Sequence, residues 1–347
     1  MTSLVIQTAF LGDVVLTTPL LEVLARRHGA VDVVTTPAAA PLVETLPAVR
    51  RVVPYDKHGN DRGLPGLFAL ARRLRAERYD VAYLPHRSLR TAALAWLARI
   101  PARVGYRDGW PLLYTEARAR PRAAHEIDRL LALAAAEPRG ERPSLCVTAE
   151  DRATTEAFLR EHGIVAGGGG GGGEPFVALA PGSIWGTKRW PHYRELSQRL
   201  AARAGLVVVG GPEDAGLGDE IVRAVGGGGG RGRWSAVNGC GRLTLRQSAE
   251  VIRRAVALVT NDSAPLHFAQ AVGTPTVAIF GPTVPAFGFG PRGPRDRVIE
   301  CSGLACRPCS PHGPETCPLG HHLCMTSLTV DQVLRAIEET GALHRRD

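Results

Sequence analysis

Residues 176–191 read FVALAPGSIWGTKRWP. An apolar run of strand length, Phe176–Ala180, passes through Pro181-Gly182 into a polar loop and then into a helical stretch, Tyr193–Ala204. A strand that feeds a helix through a glycine turn is the first unit of a parallel sheet covered by helices. The rhythm continues downstream. Leu206–Val209, a helix around Asp219–Ala224, a helix over Thr244–Arg254, the strand Ala257–Thr260, the helix Ser263–Ala271 and the strand Thr276–Phe280 follow in turn. Upstream the same alternation runs through Leu4–Gln7, a helix to Arg27, Val31–Thr35, a helix over Ala38–Leu46, Val52–Pro54, the helix Leu64–Arg75, Val81–Leu84 and a helix from near Ser88. Both halves therefore read as α/β, Rossmann-like, doubly wound parallel sheets, and two such sheets facing one another create a cleft at the carboxyl ends of their strands.

The glycine run Gly167–Gly173, closed by Glu174 and Pro175, has no side chains to bury and marks the boundary. The expected domains are 1–166, a linker 167–175, a second domain 176–328 with a cysteine-rich loop 301–324, and a C-terminal helix and tail over 329–347, free to join either domain. A second cluster, Gly226–Gly230, reads as a lengthened surface loop.

The 347 residues suit two domains, and 44% hydrophobic with 22% charged residues excludes wholesale disorder. No apolar run reaches membrane-spanning length, and Asp13 falls where a signal peptide needs its apolar stretch, so the expected location is cytoplasmic. Lys+Arg 42 against Asp+Glu 33 leaves +9, which favours an anionic partner. Lys57 and Lys188 are the two lysines; the other cations are arginines. Eight arginines between His86 and Arg122, interleaved with Trp96, Trp110 and Tyr114, suit an anionic acceptor or acidic lipid headgroup, with a solvated basic face as the plainer reading. No nucleic-acid recognition pattern accompanies them. A P-loop is absent, and the literal G-x-G-x-x-G at Gly288–Gly293 contains Pro291 and joins no strand to a helix.

Ligand-binding residues in such sheets sit where strands end. The first strand runs into Gly12-Asp13, whose carboxylate reads either as a helix N-cap or as a general base; Pro19 either kinks that helix or marks its first turn. Gly182, Ser183, Gly186, Thr187 and Lys188 gather freed N–H groups, hydroxyls and a cation suited to phosphate, against a polar turn pinned by Trp185 and Trp190. Asp262 or Ser263 caps the helix that follows Thr260, whose N-terminus favours an anion, with His267 one turn in. Glu213 stands at another strand end, placed to accept from ribose hydroxyls, and Gly281-Pro282-Thr283 at a further one. Cys306, Cys309, Cys317 and Cys324 contain one pair at zinc-ligand spacing; structural zinc, a redox-sensitive thiol cluster and simple reduced cysteines stay open, and no metal enters the expected site. Cys146 and Cys240 read as buried fillers.

The Gly12-Asp13 turn, PGSIWGTKRWP, the NDSAPLH helix start and the GPT turn, in this order, resemble glycosyltransferase family 9, the ADP-heptose:lipopolysaccharide heptosyltransferases, in particular heptosyltransferase II. The cysteine-rich tail CRPCSPHGPETCPLGHHLCM is also similar to one found in part of the family. The resemblance implies a GT-B fold, with the acceptor on the N-terminal domain and an ADP-sugar donor on the C-terminal one. It implies Asp13 as base, Thr187 and Lys188 on the donor phosphates with Lys188 also catalytic, Asp262, Ser263, Ala264 and His267 around the nucleotide and diphosphate, and Glu213 on the ribose. Ala264 stands where many relatives carry glycine, and Pro265 is a second departure. The implied reaction is inverting heptose transfer from ADP-heptose to a lipid A–Kdo type acceptor at the inner face of the cytoplasmic membrane, with no cofactor. The rivals are another GT-B glycosyltransferase or a sugar-nucleotide epimerase with a different donor, and a non-catalytic nucleotide- or lipid-binding protein.

Overall fold

The computed structural model describes residues 1–164, 174–226 and 234–343. The chain forms two compact units, 1–146 and 147–347. Among the described residues each unit is built on a six-stranded parallel sheet.

In the first unit the strands are β1 (Ser3–Ile6), β2 (Val31–Thr35), β3 (Val49–Pro54), β4 (Val81–Tyr83), β5 (Ala102–Tyr106) and β6 (Glu116–Arg118), in the order β3-β2-β1-β4-β5-β6. Helices α1 (Leu11–His28), α2 (Gly63–Ala76), α3 (Leu89–Leu97) and α4 (Glu126–Leu133) cover it. The central strands β1 and β2 are buried along their whole length, as expected of strands covered on both faces. The stretch Ala38–Leu46, expected as a helix, makes only a single 3-10 turn at Ala40–Leu42. Pro41 denies it an N–H that a longer helix needs, and Pro47 closes the stretch.

The second unit opens with α5 (Ala149–Glu161) and continues with β7 (Phe176–Ala180), α6 (Tyr193–Leu200), β8 (Gly205–Val208), α7 (Ala215–Gly226), β9 (Ala236–Asn238), α8 (Leu245–Arg254), β10 (Ala257–Asn261), α9 (Ala264–Val272), β11 (Thr276–Phe280), β12 (Arg297–Glu300), α10 (Leu323–Thr326) and α11 (Val330–Glu339). Its strand order is β12-β11-β10-β7-β8-β9. Both sheets thus share one winding, with the order reversing between β1 and β4 in the first and between β7 and β10 in the second. Such reversal points leave a crevice at the carboxyl ends of the strands.

The unit boundary falls before α5, some way ahead of the glycine run. Helix α5 packs on α8, and Arg246 reaches Asp151 at 2.6 Å, so this helix belongs with the second sheet. The glycine run itself, Gly167–Gly173, lies outside the described residues, as does Gly227–Gly230. The C-terminal helix α11 joins the second unit, burying Val330, Val333, Ala336 and Ile337 in its core.

Candidate functional site

Helix α1 starts directly after β1 and is continuous through Pro19. Pro19 has no N–H for the Val15 carbonyl, and the Thr18 hydroxyl donates to that carbonyl instead, at 2.8 Å. Thr17 likewise donates to the Asp13 carbonyl at 2.7 Å. The N-cap is Phe10, with no side-chain cap bond, so Asp13 lies in the first helical turn and is not the cap. Its half-buried carboxyl is pushed up from the usual carboxylate range to about 7. Burial is the main cause and the charge of Glu126 adds to it, while the backbone N–H groups of Phe10 and Asp13 and the cation of Arg120 pull the other way. Arg120 and Arg129 both hold Glu126, at 2.6 and 3.0 Å, so the carboxylate facing Asp13 is fixed in place by arginines from the basic segment and from α4. Nothing in the sequence marks Glu126 out.

At the reversal point of the second sheet, the loop after β7 meets the loop after β10. Lys188 Nζ donates to Asp262 Oδ2 at 2.6 Å and to the Asp262 carbonyl at 3.2 Å, and the Thr283 hydroxyl donates to the same Oδ2 at 2.7 Å. Both partners of the ion pair are largely buried, with side-chain exposures of 10% and 11%. Asp262, expected beside the nucleotide, is thus occupied in holding the ammonium of Lys188, and the residues that converge are Lys188, Asp262 and Thr283. Ser263 is the N-cap of α9, yet its side chain makes no cap bond, so its hydroxyl is not spent on the helix. Ala264 opens that helix. His267 is buried one turn in, where its Nδ1 faces Gln270 Oε1 at 3.0 Å and burial lowers its pKa, favouring the neutral ring. Glu213 is exposed beyond β8, over the backbone of Gly211.

Two residues that the sequence did not single out shape the same crevice. Asn261, fully buried at the end of β10, donates to the Pro181 carbonyl at 2.8 Å and accepts from the Trp190 N–H at 3.3 Å. It therefore ties both ends of the 181–190 loop to the neighbouring strand. Asp214 lies against the backbone of Gly182, where a Cβ would collide with its carboxylate, so glycine is required there by close approach.

The cysteine-rich loop lies over the phosphate-type loop. The Thr187 hydroxyl donates to the Pro314 carbonyl, Gly186 N–H donates to Glu315 Oε2 at 3.2 Å, and His322 Nε2 lies 2.7 Å from the Thr187 carbonyl. Trp185 stacks on His312 with ring centroids 6.2 Å apart. Gly313, at φ +78°, fits against Pro282 and Thr187. Arg307 anchors the loop from the other side, donating to the Thr283 carbonyl at 2.8 Å and to Glu300 at 2.9 Å. The seven cysteines are free thiols; Cys240 and Cys324 are buried, whereas Cys146, read as a buried filler, is only half-buried. Among the described residues no three His, Cys, Asp or Glu side chains are grouped to hold a metal ion.

The profile of glycosyltransferase family 9 (heptosyltransferase) matches residues 67–321, well over half of the chain. The chain belongs to glycosyltransferase family 9. This glycosyltransferase is 26% identical to lipooligosaccharide heptosyltransferase 2 of Haemophilus influenzae, over 98% of its own length and 99% of that protein. It is 29% identical to lipopolysaccharide heptosyltransferase 2 of Escherichia coli, over 86% and 87% of the two chains. The solved structure of E. coli ADP-heptose lps heptosyltransferase II superposes with a TM-score of 0.78 at 25% identity, covering 98% of each chain. The GT-B fold expected of the family is therefore present, as two sheets of one winding. No described helix of this glycosyltransferase is long and apolar enough to cross a membrane.

Proposed function

We propose that this glycosyltransferase transfers heptose, with inversion, from ADP-heptose to a hydroxyl of a lipopolysaccharide inner core presented at a membrane surface. The first unit supplies the acceptor site and the base, and the second supplies the donor site. Asp13 takes the proton of the acceptor hydroxyl as its oxygen bonds to the anomeric carbon, and the bond from that carbon to the diphosphate oxygen breaks on the opposite face. ADP leaves with the bonding pair. Lys188, held by Asp262 and Thr283, stabilises the growing negative charge on the diphosphate together with the N–H groups at the start of α9, and Thr187 lies beside it on the same loop. Ser263, Ala264 and His267 contact the nucleotide and diphosphate, and Glu213 accepts from the ribose hydroxyls. Arginines of the 86–122 segment bind the phosphates or carboxylates of the acceptor core.

The observation that carries the reading is the heptosyltransferase family match over residues 67–321; Asp13 stands in the first helical turn after β1, and burial pushes its carboxyl up to about 7, which suits a base. The test is incubation with ADP-heptose and defined truncated core acceptors, reading the mass and linkage of the product. Turnover with UDP- or GDP-sugars and none with ADP-heptose rejects the donor. Asp13→Asn is expected to abolish transfer while leaving ADP affinity nearly unchanged; equal loss of ADP binding rejects the base.

A further inference from the structure

The outer face of α2, α3 and the turn Pro111–Leu113 carries large apolar side chains that stand exposed among the described residues. Leu64 and Phe68 stand four residues apart on α2, and Leu89 and Trp96 seven apart on α3, so each pair shares one helical face. Trp110 and Leu112 extend the series on the turn, where Leu112 is 98% exposed. The elements are neighbours: α2 packs on α3, and α3 packs on Pro111–Leu113. Single exposed apolar residues are ordinary, but six on adjoining elements mark an interaction surface.

The charge around them selects the partner. Residues 62–113 hold ten arginines against only Glu77, Asp80 and Asp108, most of the formal excess of the whole chain. Glu77 is already paired with Arg51 at 2.9 Å and Asp108 with Arg87 at 2.8 Å. Arg72 and Arg73 are exposed on α2, and Arg62, Arg99 and Arg107 are exposed in the segments flanking these elements. Leucine, phenylalanine and tryptophan ringed by arginine is the chemistry of a surface that enters the headgroup layer of an anionic bilayer: indoles settle at the interface and guanidinium groups meet the lipid phosphates.

We propose that this face docks the enzyme onto anionic phospholipid, seating the first unit on the membrane. The proposal rests on the reading above only in that a lipid-borne acceptor requires such contact, and its test uses neither donor nor acceptor. The full chain is sedimented with phosphatidylethanolamine vesicles, with and without about a third phosphatidylglycerol. Binding is expected to the anionic vesicles, to weaken with added salt, and to fall about tenfold or more in the double variant Phe68→Glu, Leu112→Glu. Circular dichroism and the thermal unfolding profile of the full chain, measured in parallel, report that this variant is folded in both units. Equal binding by the double variant, equal binding to neutral vesicles, or a dimer of the free protein that Leu112→Glu dissolves overturns the proposal. Transfer to a deacylated acceptor separates the two readings: vesicle binding without transfer defeats the heptosyltransferase reading, and transfer without vesicle binding defeats the docking face.

Discussion

If Asp13 is the base, the enzyme is expected to be acid-sensitive in a calculable way. With its carboxyl at about 7, only about one tenth of the free enzyme carries the ionised base at pH 6 and about nine tenths at pH 8. The profile of kcat/KM, which reports the free enzyme, is therefore expected to fall tenfold per pH unit below about 7. Glu126 is one of the two influences raising that value, and it is held by Arg120 and Arg129. Glu126→Gln keeps hydrogen-bond acceptance toward both arginines but removes the negative charge, so the acid limb is expected to move to lower pH. Stability gives an independent readout. The folded carboxyl is raised above its unfolded value of 3.8, so its favourable contribution is full below that value, declines as the unfolded chain ionises, and is gone once pH passes about 7. The difference amounts to about 4 kcal/mol as an upper bound. Asp13→Asn is free of it and is expected to gain stability relative to wild type as pH rises toward 8, while losing transfer. ADP release at subsaturating acceptor gives kcat/KM, and urea unfolding at several pH values gives the stabilities. A rate flat between pH 6 and 8, or an alkaline shift in Glu126→Gln, refutes the assignment of the base and of its neighbour.

Three further outcomes follow from the second unit. Lys188→Met is expected to lose on the order of a hundredfold or more in kcat and to destabilise by about 3–5 kcal/mol by stranding buried Asp262; the double variant Lys188→Met, Asp262→Asn recovers most of the melting temperature and none of the rate. Gly182→Ala forces a Cβ onto Asp214; a cost of about 1–3 kcal/mol in thermal unfolding and a raised KM for the donor are expected, with kcat less affected. Asn261→Ala leaves the Pro181 carbonyl and Trp190 N–H without their partner, and calorimetry is expected to show a loss of about 2 kcal/mol.

Strands buried on both faces were legible because they must be apolar throughout: Leu4-Val5-Ile6, Phe176–Ala180 and Thr276–Phe280 all read directly as strands. The edge strands β6 and β12 did not. Arg297-Val298-Ile299-Glu300 and Glu116-Ala117-Arg118 carry charge because their positions are partly exposed, and a short polar strand has no signature of its own. The glycine run drew the boundary to itself by composition, yet whether α5 belongs to one sheet or the other depends on where Asp151 finds Arg246.

Among the site residues, sequence alone determined the chemistry on offer. Turns at strand ends need glycine, helix starts attract anions, and the Gly12-Asp13, Gly186-Thr187-Lys188 and Asp262–His267 stretches announce both, in the order that family 9 shares. What each group does was decided only by folding. Asp13 is no cap because the helix begins at Leu11, and its proton affinity is set by burial and by Glu126, more than a hundred residues away. Asp262 is brought to the ammonium of Lys188, and the cysteine-rich loop becomes the cover of the loop carrying Thr187. The physical reason is one of range. Backbone turns and helix ends are fixed by neighbours in the chain, whereas ion pairs, desolvation and shared hydrogen bonds depend on distances that exist only once β10 lies beside β7.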